Sequence, residues 1–339
     1  MNINRWKMNK QSRLLIAVVL SIIVVFFGIK IGSVSIPFDT LIQALFSRGD
    51  KQLDETIVTI LWQVRLPRVV LAFLVGAALA VSGTVMQSLL GNPLASAYTL
   101  GVSSGASLGA ALIIVSGITL PLFPNFTLPL TGFIFGLATV FIVLAMSQRL
   151  DQQLSNQTVI LVGMVMTLFV GAMLTIVTAL FKDHLQQLVF WQMGSFSGST
   201  WAKIHIFLPI LLFGTIALWF SARSLDVLSL GEEEALISGV DVRTIKLWVM
   251  VLAALLAGSA VSFVGVIGFV DLIAPHVIRR YFGASHRWVI PGAALLGGSM
   301  MVVGDTISRT LLSPQEIPIG AVTALIGAPF FAYVYFKRK

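Results

Sequence analysis

Cysteine is absent from this 339-residue sequence, and only 11% of its residues are charged. The missing thiols exclude disulfides, cysteine-ligated metals and thiol catalysis. The low charge nearly excludes a soluble enzyme, because soluble domains usually carry about a quarter charged residues. Apolar residues fill the chain instead: 57% are hydrophobic, and the mean hydropathy is +0.95. This composition predicts a bundle of membrane helices.

Catalytic and nucleotide-binding motifs are also missing. The sequence has no H-E-x-x-H or G-x-S-x-G motif, and none of its four histidines has a partner at ligand spacing: His184, His205, His276 and His286. An intramembrane enzyme therefore lacks its catalytic constellation. No G-x-x-x-x-G-K-[ST] phosphate loop is present, so the chain cannot bind ATP in the usual way. If transport is driven by ATP, another subunit must supply the ATPase.

Long apolar runs divide the chain into candidate membrane spans. The run 245–282 would reach about 57 Å as one helix, against a hydrocarbon core of about 30 Å. We expect it to fold back near Gly265 and Gly268, because glycine tolerates turn conformations. The sequence thus predicts an all-α membrane protein, a ten-transmembrane-helix bundle forming one permease-like domain over 1–339. The predicted spans are 14–32, 66–90, 94–116, 129–148, 158–181, 203–222, 245–263, 265–282, 288–308 and 318–336.

The distribution of charge predicts the topology. The first span follows a basic segment and lacks a small-x-small cleavage site, which indicates an uncleaved helix rather than a signal peptide. Ten spans place 14 of the 22 Lys and Arg residues inside and the other eight outside. The net charge of +8 therefore indicates topology, not nucleic-acid binding. Both termini are predicted to be cytoplasmic because both are basic: Arg5, Lys7, Lys10 and Arg13 at one end, Lys337, Arg338 and Lys339 at the other.

Glycines repeat at intervals of four in two spans. Gly101, Gly105 and Gly109 form two G-x-x-x-G steps, and Gly132 and Gly136 form another. Small residues at this spacing let helices approach closely in lipid, so we predict close packing; direct substrate contact is the alternative. Prolines inside apolar runs favour a transporter over a passive anchor, since broken helices are tolerated around a cavity: Pro93, Pro275 and Pro329.

Acidic residues are scarce within the spans. Asp305 and Arg309 lie four residues apart, which predicts either a structural ion pair or a functional one. Asp271 is deep in an apolar run, and it is interpreted as a helix cap beside Gly268 or as a relay carboxylate. A secondary transporter that uses Asp271 or Asp305 as its ion site therefore stays open as an alternative.

The longest hydrophilic inner loop spans 221–241. Ser229 and Glu232 have the spacing of a capping box, which predicts a helix start. Glu233 and Glu234 favour that positive end of a helix, and Gly239 suits the opposite end. We predict a short cytoplasmic helix over 229–240. Three consecutive glutamates in a leaflet that prefers cations suggest a surface for a protein partner, with a solvated loop helix as the alternative.

Two groups of motifs carry a family resemblance. The first is Arg65-Leu66-Pro67-Arg68, Val75-Gly76-Ala77-Ala78-Leu79-Ala80-Val81-Ser82-Gly83, Met86-Gln87, Gly91-Asn92-Pro93-Leu94-Ala95 and Leu100-Gly101-Val102-Ser103-Ser104-Gly105-Ala106. The second is Leu230-Gly231-Glu232-Glu233-Glu234-Ala235, Phe263-Val264-Gly265, Ala274-Pro275-His276, Glu316-Ile317-Pro318-Ile319-Gly320 and Gly327-Ala328-Pro329. In order and content these motifs closely resemble the FecCD-type permeases of ABC importers for iron siderophores, haem and cobalamin.

The resemblance implies a function and a set of partners. It implies a multi-pass permease of a bacterial cytoplasmic membrane that imports an iron(III)-siderophore complex by alternating access, with a lean towards hydroxamates such as ferrichrome. Cobalamin and haem are the alternatives. The expected partners are a second permease subunit, preferably a homologue rather than a second copy, two cytoplasmic ABC ATPases, and an extracytoplasmic binding protein or lipoprotein. Membrane lipid surrounds such a chain, and no nucleic acid is expected. The chain itself is expected to bind no cofactor, since ATP and Mg belong to the ATPase.

The resemblance also implies roles for particular residues. Binding-protein docking falls on Arg65, Arg68 and Arg309, with a purely structural role as the alternative. ATPase coupling falls on Ser229, Gly231, Glu232, Glu233, Glu234, Ala235 and Gly239. The cytoplasmic gate falls on Asn92, Pro93 and Leu94 in one turn, and more loosely on Ser155, Asn156, Gln157 and Thr158 in another. Asp271 departs from the pattern, because many relatives carry glycine there.

Overall fold

A computed structural model describes residues 9–32, 34–46, 54–121 and 123–336. All regular secondary structure in these ranges is helical, and the ranges contain no strand. The all-α prediction is thereby confirmed for this part of the chain. Several cations used in the topology argument lie outside the described residues, so the cytoplasmic placement of the termini stays a prediction: Arg5, Lys7, Arg48, Lys51, Lys337, Arg338 and Lys339.

Helices follow one another with short connections along the chain. The longer ones are α1 (Lys10–Lys30), α4 (Leu66–Leu89), α5 (Val102–Ser116), α6 (Thr127–Leu150), α7 (Asn156–Leu180), α9 (Trp201–Phe220), α12 (Val242–Val264), α13 (Val270–Phe282), α14 (His286–Thr310) and α15 (Ile319–Phe336). The shorter ones are α2 (Phe38–Phe46), α3 (Glu55–Thr59), α8 (Leu185–Met193), α10 (Ala222–Leu228) and α11 (Glu232–Ile237). A π-helical turn, Ile60–Arg65, joins α3 to α4.

Seven helical segments of the described chain are long and apolar enough to cross a membrane: Lys10–Lys30, Glu55–Leu89, Pro124–Leu150, Asn156–Leu180, Trp201–Phe220, Val242–Val264 and His286–Thr310. Two shorter apolar helices, Val102–Ser116 and Ile319–Tyr333, accompany them. The chain is thus a multi-pass membrane protein, while the count of ten spans stays a prediction.

Helix α4 lies at the centre of the bundle and is buried along nearly its whole length. It packs against α14, α12, α13 and α9. A Cβ on Gly76 of α4 would overlap the carbonyl oxygen of Gly297 in α14, so only glycine permits this close approach of the two backbones. The pair is antiparallel, since the start of α4 meets the end of α14. We call the two ends of this pair the Arg68 end and the Glu232 end, after residues near each.

The predicted glycine packing between α5 and α6 is confirmed. A Cβ on Gly105 would overlap the side chain of Thr139, and one on Gly109 would lie 2.8 Å from Thr131 O and from Phe135 Cβ. These glycines therefore serve the close approach of two helices.

The long apolar run 245–282 is divided into two helices. Helix α12 ends at Val264, Gly265 follows with φ +82°, and α13 begins at Val270. A Cβ on Gly265 would overlap the carbonyl oxygen of Trp191, so both its conformation and its surroundings require glycine. Asp271 consequently lies in the first turn of α13, whereas the N-cap position belongs to Phe269.

Candidate functional site

A buried ionic cluster joins α4 to α14 at the Arg68 end. Arg68 Nε and Nη2 donate to Asp305 Oδ1 at 3.0 and 2.9 Å. Arg68 Nη1 and Nη2 donate to Glu316 Oε1 and Oε2 at 2.5 and 3.0 Å. Arg68 is only 7% exposed, whereas the Glu316 side chain is 38% exposed. One guanidinium thus holds a buried carboxylate and a half-buried one in a two-pronged arrangement.

The other two arginines of this end are also buried. Arg309 Nε lies 3.6 Å from Asp305 Oδ2, which confirms the predicted i, i+4 ion pair, and Arg309 Nη2 donates to Gly28 O. Arg65 Nη1 donates to the carbonyl oxygens of Ile29 and Lys30 at 3.2 and 3.0 Å. These bonds tie the end of α1 to α4 and α14.

This geometry bears on the docking prediction. All three arginines point into internal bonds, so a partner protein could reach them only by breaking those bonds. The exposed charge of the cluster is Glu316, which the sequence argument did not single out as a site residue. It lies 248 positions from Arg68, and the only signal for it was its place in the Glu316-Ile317-Pro318-Ile319-Gly320 motif. Docking by Arg65, Arg68 and Arg309 stays a prediction.

A short helix protrudes at the Glu232 end. Helix α11 covers Glu232–Ile237, and its N-cap residue is Gly231 with φ +146°. The predicted capping box is wrong, because Ser229 Oγ donates to Asp226 O at 2.6 Å and so completes α10 instead. A side chain at Gly231 would overlap the Glu234 carboxylate, which explains why a residue without Cβ caps this helix.

The outer face of α11 is both acidic and apolar. Glu233 and Glu234 are exposed beside Leu236 and Ile237, the latter 88% exposed, while Ala235 is buried. Gly239 ends the segment with φ +78°. Exposed apolar side chains rimmed by charge are typical of a protein contact surface.

A buried lysine holds α11 in place. Lys246 of α12 donates to Glu232 Oε1 at 2.6 Å and to Leu154 O at 2.8 Å, and it is 1% exposed. Lys246 therefore joins α11 to the loop between α6 and α7. The sequence argument missed it, since nothing in its spacing indicates burial.

A chain of single hydrogen bonds leads from α10 into the bundle. Asp226 Oδ1 lies 2.6 Å from His286 Nδ1, and His286 Nε2 lies 2.7 Å from Ser88 Oγ. Arg279 Nη2 donates to the same Ser88 Oγ at 2.9 Å. An ionised carboxylate can only accept, so this order fits a neutral imidazole with its proton on Nδ1 and a Ser88 hydroxyl that donates to Nε2. The chain connects α10, α14, α4 and α13.

The local charges shift the pKa of Asp226. Burial alone would raise that pKa, but hydrogen bonds from the His286 ring and backbone and from Ser285 outweigh it, and they leave the pKa of Asp226 below its usual value. The carboxylate end of the chain is thus ionised at neutral pH.

The two predicted gate turns adjoin at the Glu232 end. Asn92 Oδ1 accepts from Leu94 N at 2.9 Å, which closes the turn after α4 and leaves Leu94 exposed. Ser155 Oγ and Thr158 Oγ1 lie 2.9 Å apart at the start of α7. A Cβ on Gly91 would lie 4.0 Å from Asn156 Nδ2, so the turns are neighbours. Pro93 and Gln157 lie within these turns.

Asp271 is the one carboxylate of α13, and it is buried with Oδ1 unpartnered. Within the described ranges, no group of three or more His, Asp or Glu side chains is placed to hold a metal ion. An ion site at Asp271 would therefore have to rely on backbone or hydroxyl oxygens.

Comparison with known proteins agrees with this architecture. The FecCD transport family matches residues 19–337. The uncharacterized ABC transporter permease protein YvrB of Bacillus subtilis is 40% identical, over 98% of this chain and 96% of that protein. The hemin transport system permease protein HmuU of Yersinia pestis is 38% identical, over 97% of each chain. A solved inward-facing ABC transporter assigned to the metal-chelate type matches with a TM-score of 0.85 and 33% identity, over 96% of this chain and 99% of that one.

A multi-pass helical bundle with a protruding helix at one end, similar throughout to such proteins, defines the permease subunit of an ABC importer. The chain belongs to the FecCD transport family. It is a transport component rather than an enzyme, and an importer of this kind includes ATPase and substrate-binding subunits.

Proposed function

We propose that this chain is the ten-span permease that carries an iron(III)-siderophore complex into the cytoplasm of a bacterium by alternating access. The observation that carries the proposal is α11: an exposed helix with acidic and apolar side chains, held by Lys246 and linked through Asp226, His286 and Ser88 to the central helices. A helix presented in this way suits a partner that pushes on the bundle.

The proposed coupling follows these contacts. ATP-driven closure of two partner ATPases would move α11, with Glu233, Glu234 and Ile237 in contact with the ATPase. Lys246 would transmit the movement to the start of α7, and His286 would transmit it to α4 and α14. Because packed helices switch between discrete arrangements, such a push can reorient the bundle and change which side of the cavity is open.

The gate belongs to the same end. The turns at Asn92–Leu94 and Ser155–Thr158 adjoin, and the latter follows Leu154, whose carbonyl oxygen accepts from Lys246. We propose that these turns close the cytoplasmic side and that movement of α11 displaces them. The N- and C-termini lie on this cytoplasmic side in the proposal.

The opposite end is proposed to receive the binding protein. Arg65, Arg68 and Arg309 lie just beneath that surface and hold the partly exposed Glu316. In this proposal they shape the docking surface and supply its positive potential, rather than each pairing with a separate acid of the partner.

The substrate and the second permease subunit are the least constrained parts. HmuU is named for hemin, a relative from Halobacterium salinarum at 36% identity for cobalamin, and FhuG of Bacillus subtilis at 33% for iron(3+)-hydroxamate. We propose a ferric hydroxamate, with haem and cobalamin as alternatives, and a homologous second permease rather than a second copy.

An experiment separates these cases. The tagged complex, with every subunit that co-purifies, is reconstituted into liposomes and supplied with ferrichrome, haem or cobalamin and the loaded binding protein. We expect ATP-dependent uptake of ferrichrome. Uptake of haem or cobalamin alone would replace the substrate but keep the importer.

A secondary transporter is the second candidate, because Asp271 is buried with an unpartnered oxygen. It predicts uptake that persists without ATP and stops when the proton gradient is collapsed. The importer predicts the reverse, and the same liposomes give both readings.

A further inference from the structure

An apolar groove opens between α6 and α9 near the Arg68 end. It encloses about 420 Å³, and its walls include Leu130 and Phe133 from α6 and Ile206 and Ile210 from α9. This volume falls in the range of sites that hold small molecules. Leu130 and Ile206 are exposed, so the groove opens outwards from the bundle.

The floor of the groove is α12, where two serines replace larger side chains. Ser259 Oγ donates to Leu255 O at 2.7 Å, and Ser262 Oγ donates to Ser259 O at 2.8 Å. Both hydroxyls are thus satisfied within their own helix. The groove therefore offers an occupant an apolar surface and no free hydrogen-bonding group.

A polar recess adjoins one end of the groove. It encloses about 190 Å³ and shares Pro129, Ser262 and Phe263 with the groove, and it adds Lys203 and Asn125. Lys203 Nζ donates to Gly198 O at 2.6 Å. Among the described residues, Lys203 forms no ion pair with a carboxylate. Its charge is left for an anion from outside the chain.

The order of these features follows the depth of a membrane. Lys203 lies in the first turn of α9, and Ile206 and Ile210 lie about 4.5 and 10.5 Å further along the helix. Trp201, beside Lys203, stacks near Trp62 with ring centroids 6.5 Å apart, and tryptophans are enriched at the membrane interface. The cation therefore lies at headgroup level, and the groove extends into the hydrocarbon layer.

We propose that this combined site binds one anionic phospholipid, with an acyl chain in the groove and the headgroup phosphate on Lys203. An apolar channel of this size fits a chain rather than a hydrated solute, and the unpaired ammonium selects a net negative headgroup. The site lies apart from α11 and from the gate turns, so it does not depend on the substrate that is carried.

The test is native mass spectrometry of the tagged chain with its co-purifying subunits. Phosphatidylglycerol, phosphatidylethanolamine and diacylglycerol with the same acyl chains are added in turn. We expect the wild type to retain phosphatidylglycerol about fivefold more than phosphatidylethanolamine, and diacylglycerol least. Lys203→Gln should abolish this preference. Lys182→Gln, at an exposed lysine of the same end, should keep it.

A second pair of variants tests the groove. Ile206→Trp fills it and should lower retention of the first phospholipid about fivefold, as loss of buried acyl area predicts. Ile216→Trp, on the exposed face of the same helix but outside the groove, should leave retention unchanged. If Ile206→Trp fails to assemble, Leu130→Trp with Ile134→Trp as its control repeats the comparison on α6.

Equal retention within either matched pair would overturn the proposal. Retention of diacylglycerol as strong as that of phosphatidylglycerol would also overturn it, because the headgroup would then contribute nothing.

Discussion

The two ends of the α4–α14 pair hold their helices together in different ways. At the Arg68 end, one buried guanidinium donates to two carboxylates at once, Asp305 and Glu316. At the Glu232 end, single hydrogen bonds run in series from Asp226 through His286 and Ser88 to Arg279.

The difference indicates which end can move. Breaking the guanidinium pairing would leave charges buried without partners, which is costly. A hydroxyl and a neutral imidazole can exchange partners by rotation, so the serial chain can be rearranged without stranding a charge. We therefore expect the Arg68 end to stay closed while the Glu232 end rearranges during transport.

The largest effect should come from Arg68→Ala. The change strands the Asp305 carboxylate in the bundle with only Arg309, at 3.6 Å, as a neighbouring cation. We expect a loss of about 3–5 kcal/mol in the free energy of unfolding, measured by denaturation in detergent. Glu316→Gln is the control and should cost less than about 1 kcal/mol, because Glu316 is partly hydrated. Equal effects of both changes would contradict the clamp.

Arg65→Glu should come next. The new carboxylate would face the carbonyl oxygens of Ile29 and Lys30, so we expect a loss of about 2–4 kcal/mol but continued membrane insertion. Uptake and binding-protein docking should also fall, measured at equal amounts of folded protein. Arg65→Gln keeps hydrogen-bond donors for the carbonyls, and it separates the fold from the charge. Normal docking of both folded variants would show that the Arg65 charge has no docking role.

At the other end, His286→Ala and Ser88→Ala test the serial chain. Each should cost about 1–2 kcal/mol of stability. Each should also lower the stimulation of ATP hydrolysis by loaded binding protein. Because both changes interrupt one chain, the double variant should lose little more than either single variant. Additive losses would mean that the two side chains act separately.

Asp226→Asn tests the pH dependence of the same chain. The pKa of Asp226 is lowered in the folded protein, so its ionised form contributes stability above its usual pKa of 3.8, and this contribution is lost as pH falls through the lowered pKa. The difference in stability between wild type and Asp226→Asn should therefore be constant from about pH 5 to 8 and shrink below about pH 4. A difference that changes around pH 6 would instead point to another group.

The smallest effect on stability should come from Glu233→Lys with Glu234→Lys. Both side chains are exposed, so the free energy of unfolding should change by less than about 0.5 kcal/mol. Uptake and ATPase stimulation should nevertheless fall strongly. Asp183→Lys, at an exposed acid of the other end, is the control and should preserve both. Unchanged uptake in the double variant would remove α11 from coupling.

Local signals in the sequence predicted part of this picture. Apolar runs indicated membrane helices, the G-x-x-x-G spacing indicated the α5–α6 contact, and the i, i+4 spacing indicated the Asp305–Arg309 pair. The acidic start of α11 was evident, although a false capping box moved its predicted start from Glu232 to Ser229.

The remaining contacts depend on tertiary structure. Arg68 meets Asp305 across 237 positions, and His286 meets Asp226 across 60. Nothing local distinguishes Lys246, which is buried, from a lysine in a hydrated loop. Such pairings arise only when the antiparallel α4 and α14 bring distant segments together, so their residues were missed or given the wrong surroundings.

One measurement tests the central claim, that α11 receives the ATPase, most directly. The chain has no cysteine, so single cysteines at Ile237 and, as a control, at Asp183 can be cross-linked in membranes without background from this subunit. The account predicts that Ile237→Cys cross-links to a co-purifying ATPase and that the cross-link stops uptake, whereas Asp183→Cys does neither. No ATPase adduct at Ile237, or the same adduct at both positions, would contradict it.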